Sequence, residues 1–196
     1  MRENVKIKIL QNMLAEVTNK YDYFIAQKDE ILKKTFEKAI KDSLTGFYNK
    51  EYMLDYATKL YKKSKRENLE FLLIFLDLDN FKSVNDTYGH ERGDEVLKEV
   101  TEIIRKSFRE YDTFVRYGGD EFIIIIEIKE KSFLQKISKF LNELNKKINK
   151  KFEKYNLSIS FGMALSSEAK DINELIQIAD MRMYQMKREH HNLKDT

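Results

Sequence analysis

The run Phe71-Leu72-Leu73-Ile74-Phe75-Leu76, closed by Asp77-Leu78-Asp79, constrains the fold more than any other feature of the chain. Six apolar residues without alternation leave no face for water, so a strand made from them must be buried. The run is too short for a helix of its own and is bounded by polar residues. It is therefore predicted as a central strand. Its C-terminal edge carries two carboxylates, at the place where open α/β sheets take ligands.

The remaining elements follow from periodicity. Residues 49–66 read as an amphipathic helix through Tyr52, Met53, Tyr56, Leu60 and Tyr61. Residues 93–109 put Val96, Leu97, Val100, Ile103, Ile104 and Phe108 on one helical face. Thr113–Tyr117 and Phe122–Ile126 read as strands joined by Gly118-Gly119-Asp120-Glu121, a hairpin signature. Residues 131–150 form a Lys-rich helix, 157–165 a strand containing Gly162, and 171–187 a last helix. The order is αβααββαβα. It predicts an α+β domain whose central sheet is ferredoxin-like, antiparallel-rich and flanked by helices. Proline is absent, so the turns depend on six glycines and on Asn and Asp.

Residues 1–41 differ. They hold neither Gly nor Pro, and Ile7, Leu10, Leu14, Val17, Tyr21, Phe24 and Ile31 follow a heptad seam with one gap near Lys28. The pattern shifts through Leu32, Phe36, Ala39 and Ile40, as a stutter does. One helix on the order of 60 Å long is expected. Alone it cannot bury its stripe. It is read as a parallel coiled-coil dimer stalk, with a helix folded back on the domain as the alternative. The helical pattern breaks at Lys41-Asp42-Ser43-Leu44-Thr45-Gly46, so a stalk over 1–41 and a domain over 42–196 are expected.

Composition removes several function classes. A net charge of +3 with interleaved Lys, Arg, Asp and Glu argues against a dedicated binder of nucleic-acid polymers. There is no cysteine, and the three histidines lack zinc-like spacing. No apolar run approaches the roughly 18 residues of a membrane span. The N-terminal residues alternate charge too early for a secretory leader, which makes a cytoplasmic protein the expectation.

The acidic residues carry the chemistry. Asp77 and Asp79 lie at a strand end, and Asp120 and Glu121 lie at a hairpin tip; if the strands are neighbours, the carboxylates converge. Clustered carboxylates without Cys or His suit a hard cation such as Mg²⁺ or Mn²⁺, which takes one or two carboxylates plus substrate phosphates. A nucleoside triphosphate is the natural third component. Gly118 and Gly119 are expected to permit positive φ and close approach of a phosphate. Taken alone, such a turn is only a surface hairpin with acidic decoration.

The residues also resemble a known family. Arg116-Tyr117-Gly118-Gly119-Asp120-Glu121-Phe122 is similar to the signature of the GGDEF family, and Asp77-Leu78-Asp79-Asn80-Phe81-Lys82-Ser83-Val84-Asn85-Asp86 to its D-x-D-x-F-K-x-x-N-D segment. Gly89-His90 and Gly93-Asp94, Asp42-Ser43-Leu44-Thr45-Gly46 and Ser160-Phe161-Gly162 resemble further motifs, covering about 42–190. The resemblance implies a diguanylate cyclase, condensing two GTP into cyclic di-GMP at a homodimer interface. Asp77, the Leu78 carbonyl and Asp120 would hold Mg²⁺ or Mn²⁺. Asp120 or Glu121 would help deprotonate the attacking 3′-hydroxyl. The main-chain N–H groups of Asn80 and Phe81, with Lys82 and Lys187, would receive phosphates. Asn85 and Asp94 would read guanine, with His90 lining the pocket. Arg109 and Asp112 match an inhibitory site for the product.

Two departures stand out. No arginine lies between Arg116 and Arg182, so any further clamp on the product from that stretch would need lysine or a second subunit. The family's closing Gly-Arg-Asn is here His190-His191-Asn192, which removes an arginine contact to phosphate. Two other functions remain open: a catalytically silent GGDEF module that senses cyclic di-GMP or GTP, and a dimerising scaffold. The input signal would come from an upstream sensory domain or a partner.

Overall fold

A computed structural model describes residues 2–128 and 133–192, the side chains of residues 133, 191 and 192 excepted. It divides into two units, residues 1–40 and 41–196. The first is a single helix, α1 (Arg2–Ile40), with no buried residue. Its seam residues are each more than half exposed, from Ile7 at 53% to Leu14 at 68%.

The second unit begins with a two-residue strand, β1 (Tyr48–Asn49), and α2 (Lys50–Glu67), whose N-terminus is capped by the Asn49 side chain accepting from Tyr52 N. β2 (Glu70–Asp79) extends the apolar run through both aspartates. Two helices follow, α3 (Phe81–Tyr88) and α4 (His90–Ser107), separated at Gly89. β3 (Thr113–Arg116) and β4 (Glu121–Ile128) form the predicted hairpin. α5 (Phe133–Lys151), β5 (Ser158–Leu165) and α6 (Ile172–Asn192) complete the chain.

The strand order is β1-β3-β4-β2-β5. β2 lies between β4 and β5 and is antiparallel to both, which gives the four long strands ferredoxin-like order; β1 adds a parallel edge beside β3. Period-2 alternation along β2 divides the core. Leu72, Ile74, Leu76 and Leu78 pack with α3, α4 and α5 residues such as Val96, Val100, Leu141 and Ile148. Phe71, Leu73 and Phe75 pack with Met53 and Ala57 of α2 and Leu175, Ala179 and Met183 of α6. Asp77 and Asp79 continue this second, odd-numbered series. α6 reaches β5 closely because Gly162 has no Cβ: one built there would lie 2.0 Å from the Ala179 carbonyl and 2.3 Å from Met183 N.

Two sequence expectations shift. α4 starts earlier than residue 93 and ends at Ser107, because Phe108 is already extended. Arg109–Asp112 is thus a separate turn, closed by Asp112 N donating to Arg109 O at 3.1 Å. β1 was not anticipated, since two residues carry no periodicity. Among the described residues no helix is long and apolar enough to cross a membrane.

Candidate functional site

The antiparallel register sets the acidic residues side by side. Asp77 pairs with Glu121 of β4 on one side and Ser160 of β5 on the other. The hairpin turn leans on the same strand end, where Leu78 N donates to Asp120 O at 3.2 Å. The turn is tied by Tyr117 N and Gly118 N donating to Glu121 O, and by Arg116 Nε and Nη2 donating to Gly119 O at 3.1 and 2.8 Å. Neither Gly118 nor Gly119 adopts positive φ, contrary to expectation. Gly118 instead lies against the Glu121 side chain: a Cβ there would be 2.5 Å from Glu121 Oε2, so that carboxylate would have to move. A Cβ on Gly119 would meet nothing within 4 Å.

The same arginine anchors the turn to the start of the domain. Arg116 Nη1 donates to both Asp42 carboxylate oxygens at 3.1 Å. Asp42 also accepts from Thr45 N and Oγ1 at 2.8 and 2.7 Å. Burial raises the Asp42 carboxyl, but the Thr45 hydrogen bonds and the Arg116 charge outweigh it and hold it below the usual carboxylate range.

The acidic cluster is strained electrostatically. Burial, then the charges of Asp120 and Asp79, push the Asp77 carboxyl up despite Lys187. Burial and then Asp77, Asp120 and Asp180 raise Glu121. Lys187 of α6 donates to Asp77 Oδ1 at 2.5 Å. Burial pulls its ammonium down, yet the hydrogen bond to Asp77 and the charges of Asp77, Asp79 and Asp120 leave it raised. Carboxylates raised by burial and then by one another's charge favour added positive charge, which a hard cation would supply. Asp77, the Leu78 carbonyl and Asp120 offer the oxygen donors. Among the described residues no group of three or more acidic or imidazole side chains is placed to hold a metal ion by itself. Carboxylate and carbonyl oxygens are the hard donors that Mg²⁺ or Mn²⁺ takes.

Asp79, two residues on, is occupied differently. Ser158 Oγ donates to its Oδ2 at 2.8 Å and Ser160 Oγ to its Oδ1 at 2.8 Å. His190 Nδ1 lies 3.5 Å from Asp79 Oδ2 and 3.3 Å from Ser160 Oγ. Sequence reasoning missed this group. A signal existed in the i, i+2 serines of a strand, but their register with Asp77 and Asp79 needed the fold.

Beyond the strand, Asn80 turns the chain into α3 with φ of 66° and no side-chain cap. Its Nδ2 donates instead to Asn156 O at 2.8 Å. The main-chain N–H groups at the start of α3, with exposed Lys82, are left able to meet an anion. Asn85 lies against Gly93, where a Cβ would be 1.9 Å from Asn85 Oδ1. This brings Asn85 of α3 beside the segment of α4 that carries exposed Asp94; His90, also exposed, opens α4.

Arg109 and Asp112 form a second grouping. Arg109 N donates to Asp112 Oδ2 at 2.9 Å, while the buried Asp112 Oδ1 has no hydrogen-bond partner. Burial raises this carboxyl, and the Arg109 N–H and charge only partly counter it. The Arg109 guanidinium donates to Tyr111 OH at 2.8 Å. A cavity of about 220 Å³ adjoins the pair, lined also by Phe108, Ile126, Lys136 and Phe140. Lys136, on the cavity wall, belongs to the stretch that lacks arginine. The His191 and Asn192 side chains of the closing segment lie outside the described residues.

Residues 39–193 match the family described as "Diguanylate cyclase, GGDEF domain". Diguanylate cyclase DgcS of Shewanella oneidensis is 36% identical over 150 residues, covering 76% of this chain and 50% of that protein. Diguanylate cyclase DosC of Escherichia coli K12 is 32% identical over 176 residues, covering 86% of this chain and 38% of that protein. The chain therefore spans half or less of the length of these curated relatives. In fold it is similar to the coiled coil and GGDEF domain of DgcB from Caulobacter crescentus, solved in complex with c-di-GMP, with a TM-score of 0.77 at 24% identity over 92% of this chain and 95% of that one. The chain belongs to the GGDEF diguanylate cyclase family.

Proposed function

We propose that the protein is an active diguanylate cyclase that condenses two GTP into cyclic di-GMP and two pyrophosphates. The observation that carries this reading is the convergence of Asp77, Asp120 and Glu121 at one strand end with Lys187 beside them. A Mg²⁺ or Mn²⁺ ion held by Asp77, the Leu78 carbonyl and Asp120 would neutralise charge on the triphosphate and on the leaving pyrophosphate.

The chain's own residues do the rest. Asp120 or Glu121 accepts the proton of the attacking 3′-hydroxyl; burial, then the neighbouring carboxylates, raise the Glu121 carboxyl, which makes it a stronger base than an ordinary glutamate. The N–H groups of Asn80 and Phe81, with Lys82 and Lys187, bind phosphate oxygens. Asn85 and Asp94 select guanine, because a carboxylate accepts from N1–H and the 2-amino group, a pair of donors adenine lacks. His90 lines the same pocket.

Each domain holds one GTP, and each 3′-hydroxyl attacks the α-phosphate of the other. Two copies must meet, and the exposed α1 seam supports a parallel coiled coil between them. Arg109 and Asp112 bind the product and inhibit. The cavity of about 220 Å³ beside Arg109 and Asp112, with Lys136 on its wall, supports that role. A cytoplasmic location fits the substrate. Incubation of purified protein with GTP and Mg²⁺, with the product identified by mass, tests the reading; absence of cyclic di-GMP rejects it.

A further inference from the structure

We infer that His190 is a positioning residue: its ring anchors the C-terminal turn of α6 to Asp79 and Ser160, and so sets Lys187 on Asp77 for phosphate binding. The inference rests on the cyclase reading for its substrate, but its structural half stands independently.

The geometry begins with α6. Leu175, Ala179 and Met183 form the stripe that faces the sheet, and Lys187 is the next residue of that four-residue series. His190 follows three residues later, about 4.5 Å further along the helix. On β2, Asp77 and Asp79 share a face, about 6.6 Å apart along the strand. The two helix residues therefore meet the two carboxylates one to one, Lys187 with Asp77 and His190 with Asp79.

The imidazole meets two oxygens of one hydrogen-bonded group. The Ser160 hydroxyl gives its only hydrogen to Asp79, and the Ser158 hydroxyl does the same. His190 Nδ1 lies within hydrogen-bond distance of Ser160 Oγ, at 3.3 Å, and faces Asp79 Oδ2 at 3.5 Å, so the ring is held against both. Asp79 is almost wholly buried and Ser160 fully so, which gives the anchor a rigid seat. Met186, also on this face, accepts from Phe161 N through its sulfur at 3.3 Å. Lys187 lies between these two attachments. Its flexible stem would otherwise sample many rotamers at a helix end, at a cost in rotamer freedom whenever it binds. Glycine, which the resembled closing motif has at this position, can make no such contact.

The test measures the dissociation constant of 3′-deoxy-GTP, which cannot cyclise, with Mg²⁺ and the full chain. The proteins are wild type, His190→Ala, His190→Asn, Lys187→Ala and the Ala double variant. Amide exchange over α6 is followed in parallel. His190→Ala should weaken binding about tenfold and speed exchange in the last turn of α6. His190→Asn, whose amide N–H can reach the same acceptors, should restore both. In the Lys187→Ala background, His190→Ala should add less than about twofold. Unchanged binding and exchange in His190→Ala, or no rescue by Asn, overturns the inference. So does a full tenfold loss in the double variant, which would make His190 a direct nucleotide contact. If wild type binds no guanine nucleotide, the cyclase reading fails, and the exchange data alone decide the anchor.

Discussion

Lys187 and Asp77, far apart in sequence, are joined by a 2.5 Å hydrogen bond from the ammonium to the carboxylate. This contact sets one positive charge against the acidic edge of the sheet. Lys187→Ala should raise KM for GTP tenfold or more, since a hydrogen bond to a charged group contributes about 1.5–3 kcal/mol. It should also move the acid limb of kcat/KM to higher pH, because Asp77 loses the neighbour that lowers its carboxyl. Steady-state kinetics against pH checks both.

Glu121 is held above its ordinary range first by burial and then by Asp77, Asp120 and Asp180. A raised folded-state carboxyl stabilises the fold below its unfolded value, and that stability is lost as pH rises through the folded value. At neutral pH Glu121 is therefore a cost to the fold. Glu121→Gln should raise the melting temperature at pH 7 by a few degrees, and the gain should vanish toward pH 4, where both forms are neutral. Calorimetry in the absence of divalent ions reads this directly. Activity should fall in the same variant.

The orphaned Asp112 oxygen and the adjoining cavity lead to a prediction about inhibition. Arg109→Ala should raise the plateau of product formed while leaving the initial rate within about twofold. Progress curves with and without added cyclic di-GMP decide it. Equal inhibition of both proteins would contradict the assignment.

Much of the fold was legible because its signals are local. The apolar run of β2, the hairpin between β3 and β4 and the stripes of α2, α4 and α6 each show in a few residues. So did the meeting of Asp77 with Glu121, which required only that two recognisable strands be neighbours. The rest depends on tertiary approach. Two-residue β1 has no period to detect. Gly118 and Gly119 do not take positive φ, and their turn is tied by Arg116 donating to Gly119 O, a contact that no local pattern announces. The Asp79, Ser158, Ser160 and His190 group joins β2, β5 and α6, and no local pattern announces it.

The α1 seam bears on assembly. Leu14→Glu with Phe24→Lys, or deletion of residues 1–38, should leave a folded, GTP-binding domain whose specific activity falls steeply on dilution. A shared coiled coil raises the effective concentration of one domain near its partner toward about the millimolar range. Specific activity against protein concentration, with mass by light scattering, is the check. Full, concentration-independent activity of a monomer would contradict it.

The most direct measurement compares wild type with Asp120→Ala, each incubated with GTP and Mg²⁺, while cyclic di-GMP and pyrophosphate are quantified together. Wild type should release two pyrophosphates for each cyclic di-GMP. Asp120→Ala should keep its circular dichroism spectrum and lose at least about a hundredfold in rate. Undiminished turnover in Asp120→Ala, or no cyclic di-GMP from wild type, would contradict the account.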